Sequence, residues 1–543
     1  MSFLRSFCLG CLAAVFGYVG IAYAQIPRPQ VAVDAGTLAG TVDTDGVRVF
    51  KGIPFAAPPI GNLRWREPQP LAPWTGVRDA SDFGDRCQQM PFPPYRPIGG
   101  SGMSEDCLYL NVWSTPDSNK RPVLVWIHGG GFGYGYSNQA WYDGARFVQK
   151  GVVYVSINYR VGVMGFLAHP DLTSESPNKT SGNYAILDQV AALQWVKRNI
   201  ASFGGDPENI TIFGESAGAI SVSVLTASPL AKGLFQRAIG NSGAGLGTTV
   251  DTLPVRPLPW AEKRGVAFAE AAEARSITEL RALPAAKVAA LGESAPKYLF
   301  EPGQYAPNID GHLLKEAPED TFARGAQNNV GLIAGWNLKE GDVFIANSMR
   351  RGVCKPHWAG VHSVNAFKSQ AQKLFGQNAD AFLKLYPHAS DGEAKLSAEF
   401  MAGDTIVNYA TWKWADLQRR SGNSDVYVYL FSKQPPPESP LGVPTHASEI
   451  PYAFDNQRMI KWSWSEADRN VAHIMSSYYA NFAISGDPNG PGLPLWPQYD
   501  PARPQHVVFD DRGATGADLP LNRLQFIDGN RMAGPWCPEA RIP

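Results

Sequence analysis

Net charge is nearly absent from this chain: 48 Lys and Arg stand against 49 Asp and Glu, leaving −1 at pH 7. No global field therefore draws it to nucleic acid or to an anionic membrane. An H-E-x-x-H metal motif is missing, as are internal repeats, heptads and low-complexity tracts, which argues against zincin chemistry, solenoids and coiled coils. Charged residues are modest at 18% against 44% hydrophobic, the balance of an ordinary globular protein. Cysteine is scarce, with six in 543 residues.

Two of those six lie in an N-terminal stretch of a different kind. MSFLRSFCLGCLAAVFGYVGIAYAQ places Arg5 ahead of an apolar centre and ends in Ala22-Tyr23-Ala24 before Gln25. That order of charge, apolar run and small residues is a secretory signal peptide. We expect residues 1–24 to be removed, residues 25–543 to form one domain, and the product to be secreted or periplasmic without stable membrane insertion. Export makes disulfides an expectation for the remaining four cysteines. Cys87 and Cys107 flank a Pro- and Gly-rich segment that a bridge would close into a loop. Cys354 with Cys537 follows only by elimination.

Several near-continuous apolar runs read as strands buried on both faces: 123–127, 152–157, 210–213, 332–336 and 426–431. Such runs belong to parallel sheets covered by helices. Between them, Ile186, Val190, Leu193, Val196 and Ile200 recur at helical spacing until Gly204-Gly205-Asp206-Pro207 stops the pattern. Strands alternating with helices predict an α/β protein with a large, mostly parallel central sheet.

Two motifs stand at the ends of predicted strands. FGESAGAIS (213–221) follows ITIF and sets a serine between two glycines, the G-x-S-x-G pattern of a sharp strand-to-helix turn that exposes a serine oxygen. His128-Gly129-Gly130-Gly131-Phe132 follows VLVWI and is of the type whose backbone N–H groups hold a developing oxyanion. It fits neither G-x-G-x-x-G nor G-x-x-x-x-G-K-[ST], so a phosphate loop is not indicated. Acyl transfer also needs a base and a carboxylate to orient it. Of nine histidines, His446 lies in a loop soon after the strand VYVYLF. Glu340 and Asp342, in NLKEGD after LIAGW, are the candidate acids, and spacing alone leaves both open.

At this point the chain resembles the type-B carboxylesterases, the family that includes cholinesterases and bile-salt-activated lipase. The resemblance rests on FGGDPENITIFGESAGA (203–219) and SEDCLYLNVW (104–113). It extends from VFKGIPFAAPPIGNLRWREPQP (49–70) through GNYAILDQVAALQWV (182–196) to NFAISGDPNGPGLPLWPQY (481–499). It implies an α/β-hydrolase fold with loop and helical insertions. It also implies Ser216 as nucleophile, Glu340 as acid and His446 as base, with Gly130, Gly131 and Ala217 N–H groups as the oxyanion hole. Glu215 and Ser242 match positions that support the triad in relatives, and a Cys87–Cys107 bridge is implied as well. Unlike cholinesterases, residues 88–106 carry no tryptophan, only Phe92 and Tyr95, which weakens a cation–π site there. Choline esters are therefore not expected.

The resulting expectation is a serine esterase acting on small-molecule esters, with no metal or cofactor. An amidase or interfacial lipase on the same triad, or a non-catalytic binding module of neuroligin type, are the competing readings. Arg96, Arg350, Arg351 and Lys355 would favour an anionic substrate if they faced the site, with solvated surface charge as the simpler account. Asn178 and Asn209 stand in N-x-T sequons.

Overall fold

The computed structural model describes residues 28–90, 99–100, 102–117, 120–247, 255–294, 306–342, 344, 358–439 and 442–530. The expected signal peptide, Phe92, Tyr95, Arg96, Arg350, Arg351, Cys354, Lys355 and Cys537 lie outside these residues.

The apolar runs become the centre of an eleven-stranded sheet. Its strands, in chain order, are β1 (Thr41–Val42), β2 (Arg48–Pro54), β3 (Tyr109–Ser114), β4 (Arg121–Ile127), β5 (Val153–Ile157) and β6 (Gly205–Glu215). β7 (Arg237–Asn241), β8 (Gly331–Asn337), β9 (Val426–Phe431), β10 (Gln505–Asp510) and β11 (Gly513–Asp518) complete it. The spatial order is 11-10-9-8-7-6-4-5-3-2-1. Strands β5, β4, β6, β7, β8, β9 and β10 pair in parallel, and antiparallel strands close both edges.

Alternation decides which side chains meet which layer. Val123, Val125, Ile127, Ile210 and Ile212 point to a largely aliphatic core. The intervening Leu124, Trp126 and Phe213 point to an aromatic one, where Trp126 lies 4.5 Å from Phe213 and 5.0 Å from Phe454 between ring centroids. Burial on both faces explains why these strands read as unbroken apolar runs. Helix α1 (Tyr184–Asn199) takes the predicted course and tightens into a 3₁₀ turn over Ile200–Phe203. Gly204, at φ 87°, ends it; a side chain is disfavoured in that left-handed conformation.

The strand order turns the carboxyl ends of β4, β6, β8 and β9 to one rim of the sheet, the usual place for ligands in open α/β sheets. His128, Ser216, Glu340 and His446 each follow one of these ends. Nearby, Cys87 and Cys107 form a disulfide, with Cα atoms 4.9 Å apart.

Candidate active site

β6 ends at Glu215 and helix α2 (Ala217–Ala227) begins two residues later, so the chain must reverse over Ser216 alone. Ser216 does so at φ 55° and ψ −123°, a strained conformation for a residue with a side chain. The Ser216 N–H donates to Asn241 O at 2.9 Å, and its carbonyl accepts from the Ile220 N–H at 2.9 Å. The flanking glycines serve close approach, while the strain sits on the serine. A Cβ on Gly218 would lie 2.1 Å from Ile127 O, and one on Gly214 would lie 2.5 Å from the Gly218 carbonyl carbon. Any side chain at either position would push α2 away from β4 and β6.

Ser216 Oγ is 2.8 Å from His446 Nε2. His446 Nδ1 is 2.7 Å from Glu340 Oε2. A carboxylate accepts only, so Nδ1 carries the proton and Nε2 is free to accept from the serine. The alternative acid, Asp342, accepts instead from the Thr445 hydroxyl. Glu340 Oε1 accepts the Asn337 backbone N–H at 2.7 Å and Asn337 Nδ2 at 3.2 Å. The ring of Phe344 packs 4.8 Å from the imidazole.

The oxyanion-type loop folds under its own constraints. Gly130, at φ 114°, sits where a Cβ would meet Tyr134 O at 2.1 Å; its carbonyl accepts the Gly133 and Tyr134 N–H groups. His128 is fully buried, with Nδ1 2.9 Å from Gly129 O and its ring stacked 4.2 Å from Tyr159. Burial holds its pKa down to about 4, so it stays neutral and rigid beneath the loop. The Tyr159 hydroxyl donates to His128 O at 2.6 Å. Ala217 opens α2, so its N–H has no intrahelical acceptor.

Electrostatically the site is an imidazole among buried acids. Glu215 Oε1 lies 3.2 Å from His446 Nε2. Burial pulls the His446 pKa down, but the charges of Glu215 and Glu340 outweigh it and carry it to about 9. Burial raises the Glu215 carboxyl, and it raises Glu449 as well, with Glu340 adding to both shifts. Ser242 accepts from Asn337 Nδ2 at 3.1 Å, so its link to the imidazole runs through Asn337 and Glu340. Two neighbours escaped the sequence reading. Asn337 stands three residues before Glu340 in NLKEGD, and Glu449 sits in ASEIPYAF, where an acid ahead of an apolar run is the available signal.

Among the described residues, no group of three or more His, Cys, Asp and Glu is placed to hold a metal ion. No described helix is long and apolar enough to cross a membrane. A small cavity near the oxyanion-type loop is lined by Phe166, Trp260, Phe268, Arg256 and Arg264, and Phe166 packs edge-on to Phe132 at 5.0 Å.

Residues 27–527 match the carboxylesterase family. Over 530 residues the chain is 34% identical to fumonisin B1 esterase of Sphingopyxis macrogoltabida, covering 91% of this chain and 89% of that protein. It is 32% identical to para-nitrobenzyl esterase of Bacillus subtilis, covering 88% and 94%. Among solved structures, Geobacillus stearothermophilus carboxylesterase EST55 superposes with a TM-score of 0.79 at 33% identity, over 92% of this chain and all of that one.

Proposed function

The chain belongs to the carboxylesterase family and is a carboxylic ester hydrolase, and we propose that its acyl-enzyme forms on Ser216. The observation that carries this reading is the unbroken chain of hydrogen bonds from Ser216 Oγ through His446 to Glu340. His446 Nε2 takes the hydroxyl proton as Oγ attacks the ester carbonyl, while Glu340 holds the imidazole in the tautomer that can accept. The tetrahedral oxyanion is held by N–H groups of Gly130, Gly131 and Ala217, each donor contributing about 3 kcal/mol to the barrier difference. The C–O bond then breaks, the alcohol leaves with the proton from His446, and water repeats the sequence to release the acid. Glu215 faces the nitrogen that becomes charged and favours the imidazolium of both intermediates.

The substrates in this reading are small-molecule esters. p-Nitrobenzyl esters and fumonisin B1, after which two similar proteins are named, are the first to assay. Residues 25–543 act as one domain, exported after loss of residues 1–24. Ser216→Ala, purified and folded, is expected to hydrolyse p-nitrophenyl acetate at least roughly 10⁴-fold more slowly. Parental turnover in that variant overturns the assignment.

A further inference from the structure

Asn337, the last residue of β8, is fully buried and touches every acidic group but one around His446. Its backbone N–H and its Nδ2 both reach Glu340 Oε1, at 2.7 and 3.2 Å. The same Nδ2 lies 2.6 Å from Glu449 Oε2 and 3.1 Å from Ser242 Oγ. One amide nitrogen with two hydrogens thus faces three oxygens, two of them from glutamates that are 1% and 0% exposed. Glu215, 4% exposed, approaches the imidazole from the other nitrogen.

Burying carboxyls together is costly unless each is paired or neutral. Of the two glutamates that share Asn337, the triad works only if the charge rests on Glu340 and Glu449 is the neutral one. We propose that Asn337 is the positioning residue that makes this choice. It gives Glu340 two donors on Oε1, which turns Oε2 onto His446 Nδ1. Glu449 receives one shared side-chain donor and has an Oε1 that finds no partner among the described residues. Burial and the Glu340 charge push Glu449 upward, in keeping with a neutral acid. The proposal rests on the Ser216–His446–Glu340 reading and deepens it.

Other groups facing the cluster do not compete for this role. The phenols of Tyr429, Tyr479 and Tyr159 are buried and raised, so they remain neutral. Lys339 points to Glu399 at 3.4 Å, and Asp342 is bound by Thr445. His128 is held neutral by burial. None of these supplies a second donor set to Glu340.

Asn337→Leu and Asn337→Asp, each counted for competent sites by stoichiometric organophosphate titration, test the proposal through kcat and the pH profile of kcat/KM. Asn337→Leu removes the side-chain donor and lets negative charge near His446 fall. We expect kcat per titrated site to drop about 10- to 100-fold with KM nearly unchanged, and the acid limb to move to lower pH. Asn337→Asp sets a third acid against Glu340 and Glu449. We expect a larger loss at neutral pH, and an activity relative to parent that rises as pH falls and the new acid becomes a donor. A structural role alone would lower the titrated fraction without moving the acid limb. Per-site kcat within twofold of parent and an unmoved limb in both variants would overturn the proposal. Should neither variant titrate, their binding of a reversible ketone inhibitor decides: parental dependence of that binding on pH would also overturn it. Failure of the parental enzyme to titrate at Ser216 would instead refute the triad.

Discussion

The two candidate acids meet different partners, Glu340 the His446 imidazole and Asp342 the Thr445 hydroxyl. Glu340 and Asp342 stand two residues apart in NLKEGD, and spacing could not choose between them because both follow the end of β8. Packing chooses: Glu340 is buried against the imidazole, while Asp342 is taken by Thr445. Glu340→Gln should therefore lower kcat by about 10³- to 10⁴-fold, and Asp342→Asn by less than about tenfold, read in steady-state ester hydrolysis. Glu215 gives a prediction of sign. His446 must be neutral to act as base, so activity is lost as pH falls through its pKa, which neighbouring charge holds above the ordinary imidazole value. Removing the largest of those charges in Glu215→Gln makes the imidazolium less favourable. The acid limb of kcat/KM should shift to lower pH. Ser216, His446 and the glycine loop were legible because each combines a residue type with a place after a strand. Asn337 and Glu449 were not, since their role comes from a meeting of β8 with the loop beyond β9 that no local pattern encodes.

At the scale of elements, the turn between β6 and α2 works because two glycines let strand and helix almost touch. Gly218→Ala places a methyl carbon 2.1 Å from Ile127 O, beyond what a rigid strand can absorb. It should cost more stability than the ~1 kcal/mol that alanine ordinarily gains over glycine within helices. The checks are a lower melting temperature and a loss of titratable Ser216. The strands themselves were legible, since residues buried on both faces leave continuous apolar runs. β6 nevertheless proved longer than its apolar part, because Gly205 pairs with Arg121 ahead of an irregularity that runs to Ile210. The disulfide between Cys87 and Cys107 was expected from the loop it closes and is present. Reducing it should destabilise the fold by about 3 kcal/mol, seen in urea unfolding with and without dithiothreitol.

At the scale of the whole molecule, a sheet order of 11-10-9-8-7-6-4-5-3-2-1 brings residues 216, 340 and 446 to one rim. A neutral ester carries no charge for the protein's field to steer, so its association should be nearly independent of salt. A seryl oxygen activated this way reacts with an organophosphate far faster than any other hydroxyl in the chain, and only while the fold holds the imidazole against it. The most direct measurement is peptide mapping by mass spectrometry after one equivalent of such a reagent, on native protein and on protein unfolded in urea. The account predicts one phosphoryl group, on Ser216, in the native sample and none in the unfolded one. Full inactivation with the label on another residue, or full activity with Ser216 labelled, would contradict it.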